Sequence, residues 1–295
     1  VELVLLRLES HHSKTTPKSH LLQFYRSWRD AESLGLDGII ITGAPVEHLP
    51  FEEVDYWPEL CEVFDWITTS QLPTLFICWG AQAALQHYFG IPKHALENKA
   101  LGLFPHHVSA SSPLMLGFDD EFGVPVARHT EIRAEDINKH TALEIVSESP
   151  LSGVYVVAHR EKPQFYVFNH LEYTSDTIVE EYFREIKQGK VQPLPYNYFP
   201  DGDTSRLPLN RWRSHASLLY SNWLRECVTQ SPGQSKALNV AIAGLGTVGA
   251  EVVRLLYKQR ELIEQRTGRP VRIVAVSARD PDKERQLLSC SIFHG

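Results

Sequence analysis

Several features are scarce in this sequence, and each scarcity excludes a class of protein. The 295 residues include four cysteines, at positions 61, 78, 227 and 290, with no CxxC pair and no zinc-like spacing. So few scattered cysteines in a chain of this length indicate a reduced, cytoplasmic protein rather than a disulfide-stapled one. No apolar run approaches the roughly 20 residues that span a bilayer, and the apolar residues 1–6 are too few for a signal peptide. We therefore expect a cytoplasmic protein that does not interact with membranes.

Basic residues are in the minority, with 29 Lys and Arg against 36 Asp and Glu and a formal net charge of -7. No basic run interleaved with aromatic residues occurs, which argues against nucleic acid as a partner. Hydrophobic residues make up 43% of the chain, enough for a sizeable core in one large domain or two smaller ones.

Apolar runs alternate with amphipathic segments along the first part of the chain. Residues 1–8, 38–43 and 75–77 are predicted strands, and residues 56–69 and 80–89 are predicted helices. This alternation predicts an α/β fold with a parallel sheet covered on both faces, a three-layer sandwich. Functional sites in such sheets lie at the carboxyl ends of the strands.

Cys78 stands where an apolar strand gives way to a predicted helix that starts at Trp79. A thiol at such a turn lies beside backbone N–H groups and the positive end of a helix, which favour a reactive thiolate and can bind an oxyanion. A second apolar strand leads into His170 and Glu172. Cysteine, histidine and glutamate at strand ends are the parts of an activated-thiol acyl-transfer site. By itself, a cysteine in such a place is more often a small buried apolar residue.

A glycine-rich motif follows a predicted linker at residues 231–236. Gly244, Gly246 and Gly249 form a complete GxGxxG between a predicted strand at 238–243 and a predicted helix at 252–264, with a second strand at 271–276. This order predicts a dinucleotide-binding βαβ unit. Residues 237–295 are too few for a six-stranded Rossmann domain. We therefore expect a main domain over residues 1–230 and a partial Rossmann unit over residues 237–295.

Long motifs in the main domain resemble the homoserine O-acyltransferases of methionine biosynthesis. The matching segments are residues 10–17, 37–57, 77–83, 117–120, 128–131, 196–200 and 212–215. The resemblance covers residues 1 to about 230 and implies the class I glutamine-amidotransferase-like fold and a homodimer. A glutamine amidotransferase shares the Cys, His and Glu set, but no synthetase or ammonia-acceptor domain follows here.

The resemblance also implies roles for individual residues. Cys78 would be the acyl-thioester nucleophile, His170 the general base and Glu172 the carboxylate that orients it. The oxyanion donors would be the backbone N–H groups near Gly43, Ala44 and Trp79. No cofactor is implied, because acetyl-CoA is a substrate of the ping-pong reaction with L-homoserine.

Further matches concern the two substrates. Lys99 matches a substrate-contacting lysine, and Arg213 matches an arginine that binds the homoserine carboxylate, a task suited to a bidentate guanidinium. In this family a glutamate at the position of Glu47 accompanies acetyl-CoA and a glycine accompanies succinyl-CoA. A carboxylate there would repel the free carboxylate of a succinyl group. The resemblance therefore favours homoserine O-acetyltransferase, with homoserine O-succinyltransferase as the alternative.

The chain departs from the family pattern in three places. The family begins earlier, with a segment that supplies a central strand and helix, so an incomplete chain acting only as a binding module is a further alternative. The usual Gly-His-Pro-Glu-Tyr is here Asn169-His170-Leu171-Glu172-Tyr173, and a substrate-contacting serine is replaced by Ala127. The acceptor is therefore less firmly implied than the nucleophile.

The C-terminal unit resembles the start of a homoserine dehydrogenase, in residues 240–249 and 274–280. Arg279 stands near the position of the acid that holds a ribose 2′-hydroxyl, so NADP fits at least as well as NAD. Adjacent histidines occur at 11–12 and 106–107, but neighbours on a strand point to opposite faces, so we expect no metal site.

Overall fold

A computed structural model describes residues 2–10, 26–190, 193–230, 239–243, 247–268 and 272–273. The strands are β1 (Glu2–Arg7), β2 (Arg26–Ser27), β3 (Gly38–Ile41), β4 (Thr74–Ile77), β5 (His94–Val108), β6 (Glu121–Glu131), β7 (Leu143–Ser149), β8 (Gly153–His159), β9 (Gln164–Val167), β10 (Asn239–Ala243) and β11 (Arg272–Ile273). The α-helices are α1 (Trp57–Ser70), α2 (Trp79–Phe89), α3 (Ala134–Ile137), α4 (Ser175–Lys187), α5 (Arg213–Gln230), α6 (Thr247–Lys258) and α7 (Arg260–Thr267). Short 3₁₀ helices span Trp28–Leu34, Phe51–Glu53, Pro113–Met115 and Pro200–Gly202.

The described strands form one mixed sheet in the order β11-β1-β10-β3-β4-β9-β8-β7-β5-β6, with β2 paired to β1. The first six strands in this order, β11, β1, β10, β3, β4 and β9, are mutually parallel. The remaining strands, β8, β7, β5 and β6, continue the sheet with antiparallel pairs. The carboxyl ends of β3, β4 and β9 therefore meet at one edge, which brings together the predicted site residues that follow them.

Helices cover both faces of this sheet. Ile39, Ile41 and Phe76 point to the face that packs against α1 and α2, whereas Ile40 and Leu75 point to the face that packs against α5 and α6. Strands β3 and β4 are buried on both sides, because their side chains alternate between two apolar layers. The predicted three-layer α/β fold is confirmed, with the difference that four of the ten strand pairings among the described residues are antiparallel.

The strand β10 lies inside the sheet rather than at its edge. It pairs in parallel with β1, where Leu3 is opposite Val240, and with β3, where Ile40 is opposite Ile242. The second strand of the predicted βαβ unit, β11, pairs with the far side of β1, so the two strands are not neighbours. The domain boundaries predicted from the sequence stay predictions.

Among the residues that the structure describes, no helix is both long and apolar enough to cross a membrane. Cys61 and Cys78, among the described residues, are free thiols.

Candidate active site

Cys78 occupies a sharp turn between β4 and α2, with φ 56° and ψ -125°. A positive φ is strained for a residue with a side chain and costs about 1–3 kcal/mol, which the surrounding structure must offset. The Cys78 N–H donates to the Val167 carbonyl at 2.7 Å, and its carbonyl accepts from Ala81 N at 3.0 Å. The turn is thus held by the sheet on one side and by the first turn of α2 on the other. This strand–turn–helix geometry exposes a nucleophile at the edge of a sheet.

Two glycines allow the loop after β3 to approach this turn closely. A Cβ atom on Gly80 would lie 2.7 Å from the Thr42 carbonyl oxygen and 2.9 Å from that of Ile41. A Cβ atom on Gly43 would lie 3.1 Å from Cys78 Cβ and 3.2 Å from Trp79 N. Gly80 therefore needs glycine for steric reasons, a side chain at Gly43 would require its neighbours to shift by a few tenths of an ångström, and the backbone at residues 42–43 lies against the cysteine.

The predicted oxyanion donors are neighbours in this arrangement. Trp79 is the first residue of α2, and its side chain is buried against Phe51 and Tyr56. Gly43 and Ala44 follow β3 and are half-buried. The Trp79 amide and the backbone at residues 43–44 therefore flank Cys78 from two sides.

His170 and Glu172 form a buried pair just beyond β9. His170 Nδ1 lies 2.6 Å from Glu172 Oε1, and both side chains are 1% exposed. The imidazole stacks on Tyr173 with ring centroids 4.2 Å apart, and the His170 amide donates to the Pro125 carbonyl of β6 at 2.9 Å. These contacts fix both the ring and the turn that carries it.

Charges around His170 favour its protonated form. Burial alone lowers the pKa of His170, but the negative charges of Glu172 and Cys78, and hydrogen bonds to both, raise that pKa well above its ordinary value. The thiol and the imidazole are thus close enough to couple, which is the arrangement that a Cys–His nucleophile requires.

Glu47 links the loop after β3 to strand β6. Its Oε2 accepts from the His129 amide at 2.8 Å and lies 3.3 Å from Thr130 Oγ1. Thr130 Oγ1 in turn lies 3.0 Å from Gln82 Oε1, one turn of α2 beyond Cys78. The carboxylate predicted to select the acyl donor is therefore linked, through Thr130, to the first turns of the helix that follows Cys78.

Lys99 forms ion pairs that sequence reasoning did not find. Its Nζ donates to Glu181 and, at 2.9 Å, to Glu185, both on α4, and its side chain is 4% exposed. Burial raises the pKa of Glu185, but the hydrogen bond and the positive charge of Lys99 lower it by more. The pKa of Glu185 therefore lies below its ordinary value. Lys99 and these glutamates lie more than 80 residues apart in the sequence, so no local pattern could connect them.

Arg213 is the second of the two predicted substrate-binding residues. It is the first residue of α5 and is exposed. Within the described ranges, no hydrogen bond or ion pair joins it to Cys78, His170 or Lys99. Gly244, Gly246 and Arg279 lie outside the described residues, and Gly249 is buried within α6.

A buried polar network supports the turn that carries His170. His106 Nε2 lies 3.0 Å from Asn169 Nδ2 and 3.3 Å from Ser152 Oγ, and Arg128 donates to the Ser152 carbonyl. Burial lowers the pKa of His106 to about 3, so the imidazole is neutral and accepts from the Asn169 amide. The adjacent His107 is exposed, which confirms that these two histidines point to opposite faces.

Comparison with known proteins identifies the family. The family model described as homoserine O-succinyltransferase matches residues 1–233. The chain belongs to this family. It is 49% identical over 227 residues to a homoserine O-acetyltransferase of Allorhizobium ampelinum, which covers 77% of this chain and 74% of that protein. It is 47% identical over 230 residues to the homoserine O-acetyltransferase of Thermotoga neapolitana, covering 78% of this chain and 76% of that protein.

Solved structures support the fold. A glutamine amidotransferase from Methylobacillus flagellatus aligns with a TM-score of 0.51 and 14% identity, over 76% of this chain and 93% of that one. A glutamine amidotransferase from Thermotoga maritima aligns with a TM-score of 0.50 and 15% identity, over 77% of this chain and 97% of that one. At this identity the likeness concerns the fold alone, and it confirms the predicted glutamine-amidotransferase-like architecture.

Proposed function

We propose that this protein is a homoserine O-acetyltransferase that carries the acetyl group on Cys78. The observation that carries the proposal is the strained turn at Cys78, which lies beside the buried His170–Glu172 pair. In that pair His170 Nδ1 is 2.6 Å from Glu172 Oε1, and the backbone of residues 42–43 packs against the turn from the other side. Relatives at 45–49% identity named homoserine O-acetyltransferase support the reaction.

In the first half-reaction the Cys78 thiolate attacks the carbonyl carbon of acetyl-CoA. A Cys78 S–C bond forms, the bond from the carbonyl carbon to the CoA sulfur breaks, and His170 donates its proton to the departing CoA thiolate. The Trp79 amide and the backbone at residues 43–44 stabilise the oxyanion between these events. Glu172 holds the imidazole in the tautomer that faces the sulfur.

In the second half-reaction the hydroxyl oxygen of homoserine attacks the acetyl thioester. His170, now neutral, takes the hydroxyl proton, the new ester bond forms, and Cys78 leaves as the thiolate. The starting ion pair is regenerated, and acyl transfer consumes no cofactor. Binding of NADP or NAD by the C-terminal unit, and a homodimer, remain predictions from the resemblance.

The direct experiment is intact mass spectrometry after incubation with acetyl-CoA, and separately with succinyl-CoA, without acceptor. We expect one acetyl group on Cys78, released on addition of L-homoserine, and no adduct on Cys78→Ala. A succinyl adduct alone would overturn the choice of donor. No adduct from either donor, in a chain shown to be folded, would favour the binding-module alternative.

Glu47 is proposed to select acetyl-CoA by its charge. Glu47→Gln keeps an oxygen for the His129 amide but removes the charge, whereas Glu47→Gly removes both. We expect Glu47→Gln to raise kcat/KM for succinyl-CoA relative to acetyl-CoA on the order of tenfold or more, since like charges a few ångströms apart repel strongly. Glu52→Gln, at an exposed carboxylate in the next 3₁₀ helix, is the matched control. An unchanged ratio in Glu47→Gln would show that charge does not select the donor.

Arg213 is proposed to bind the acceptor carboxylate. Arg213→Ala should raise KM for homoserine while leaving the yield of acetyl-enzyme unchanged. Arg184→Ala is the matched control, because Arg184 is an exposed arginine on a different helix, α4. A raised KM for homoserine in Arg184→Ala, with an unchanged KM in Arg213→Ala, would instead assign carboxylate recognition to α4, the helix whose Glu181 and Glu185 bind Lys99.

A further inference from the structure

Thr42 connects the loop beside Cys78 to the C-terminal strand β10. Its amide N–H donates to the Ala243 carbonyl at 3.0 Å, and its hydroxyl Oγ1 donates to the same oxygen, also at 3.0 Å. Thr42 is 6% exposed and Ala243 is half-buried, so these bonds are largely shielded from water. Ala243 opposite Ile41 is the last pair of the β10–β3 ladder, and Thr42 is the next residue. The last carbonyl of β10 therefore holds the start of the loop.

The other side of this loop has no room to move. A Cβ atom on Gly80 would clash with the Thr42 carbonyl, and one on Gly43 would lie tightly against Cys78, so the loop packs closely against the start of α2. The backbone at residues 42–43 is thus confined between the nucleophile turn and the end of β10. Oxyanion donors act at separations of about 2.7–3.1 Å, and a misplacement near 1 Å can cost about 100-fold in rate.

We propose that β10 is a structural part of the acyl-transfer site, and that Thr42 is a positioning residue through which the Ala243 carbonyl holds the oxyanion loop. This inference rests on the proposed Cys78 acyl transfer, and it goes beyond it by giving the C-terminal segment a role in that reaction. Thr42 does not touch the reacting atoms; it determines where the amides of residues 43–44 lie.

The test compares two buried threonines in the full chain. Thr42→Val removes the hydroxyl donor but keeps the shape and the backbone bond to Ala243. Thr74→Val is the matched control, because Thr74 is 0% exposed and its hydroxyl donates to the Leu72 carbonyl at 2.8 Å. Thr74 is the first residue of β4 and therefore lies at the opposite end of that strand from Cys78. Thr42→Ser retains the hydroxyl and should restore the wild-type rate.

We expect Thr42→Val to lower kcat for acetyl transfer on the order of tenfold, below the loss of about 10²–10³ for deleting a donor outright. KM for acetyl-CoA and the rate of Cys78 alkylation by iodoacetamide should not change, because alkylation forms no oxyanion. Thr74→Val should change none of these quantities. A kcat within twofold of wild type in Thr42→Val, or an equal loss in Thr74→Val, would overturn the positioning role.

Hydrogen exchange tests the strand itself. The amide of Thr42 and the amides of residues 240–243 should exchange slowly in the wild type, because they are bonded within the sheet. Fast exchange at residues 240–243, with slow exchange in β3 and β4, would overturn the role of β10. If the wild type forms no acetyl-enzyme, the proposed function fails; if it does and Thr42→Val is fully active, this inference alone fails.

Discussion

The substitution Glu172→Gln tests how much of the chemistry depends on the buried charge beside His170. The variant keeps the size of the side chain and removes one negative charge 2.6 Å from Nδ1, at a site where both side chains are 1% exposed. Two unit charges about 4 Å apart interact by about 4 kcal/mol at an effective dielectric constant near 20. Loss of that term, at about 1.4 kcal/mol per factor of ten, predicts a kcat lower by about two to three orders of magnitude. The pKa of His170 should fall, because burial then acts with less opposition.

The assay is the release of CoA thiol from acetyl-CoA in the presence of homoserine, together with the titration of His170 followed by NMR. Asp136→Asn is the matched control, because His94 Nε2 lies 2.7 Å from Asp136 Oδ2 in a similar but more exposed pair on α3 and β5. The control should retain activity within twofold. A folded Glu172→Gln variant with kcat within threefold of the wild type would refute the role given to the carboxylate.

Three further substitutions test the structure around the site. The pKa of His106 is lowered by burial from 6.5 to about 3, so the unfolded chain binds a proton below pH 6.5 that the folded chain refuses. The contribution of His106 to the free energy of unfolding should fall by about 2 kcal/mol between pH 7 and pH 5. In urea denaturation at both pH values, His106→Gln should therefore lose less stability on acidification than the wild type. Equal losses in the two proteins would contradict this prediction. Gly80→Ala places a Cβ atom 2.7 Å from the Thr42 carbonyl oxygen and should lower the free energy of unfolding by about 1–3 kcal/mol in the same assay; a neutral or stabilising effect would show that the two backbones are not in contact. Lys99→Met leaves the buried Glu185 and the partly exposed Glu181 on α4 without their cation and should cost about 3 kcal/mol in thermal or urea denaturation. Lys190→Met, at a 55% exposed side chain 3.9 Å from Glu185, should cost less than about 1 kcal/mol. Similar losses in both variants would refute the role of the Lys99 ion pair.

The parts of the fold that were predictable from the sequence are those that local patterns encode. Apolar runs of strand length and helical periodicity located β3, β4, α1 and α2, because burial of one face or both leaves a periodic trace in the residues themselves. The Cys78 turn was predictable for the same reason, since an apolar strand followed directly by the helix start at Trp79 and Gly80 leaves one position at the turn between them. His170 and Glu172 were also recognisable, because they follow a strand immediately and lie two residues apart.

The periodicity of the sequence does not predict which distant elements contact each other. Lys99 reaches Glu181 and Glu185 on α4, and Glu47 reaches the His129 amide on β6; these pairs are separated by 82 to 86 residues. The place of β10 is of the same kind: its apolar residues predict a buried strand, but the slot between β1 and β3 is chosen by long-range burial and register. Local propensity acts over a few residues, whereas strand order is decided by which pairings bury the most apolar surface across the whole chain. The sequence alone therefore determined the elements and the turn that carries Cys78, and only the tertiary structure decided which charges, carbonyls and strands surround that turn.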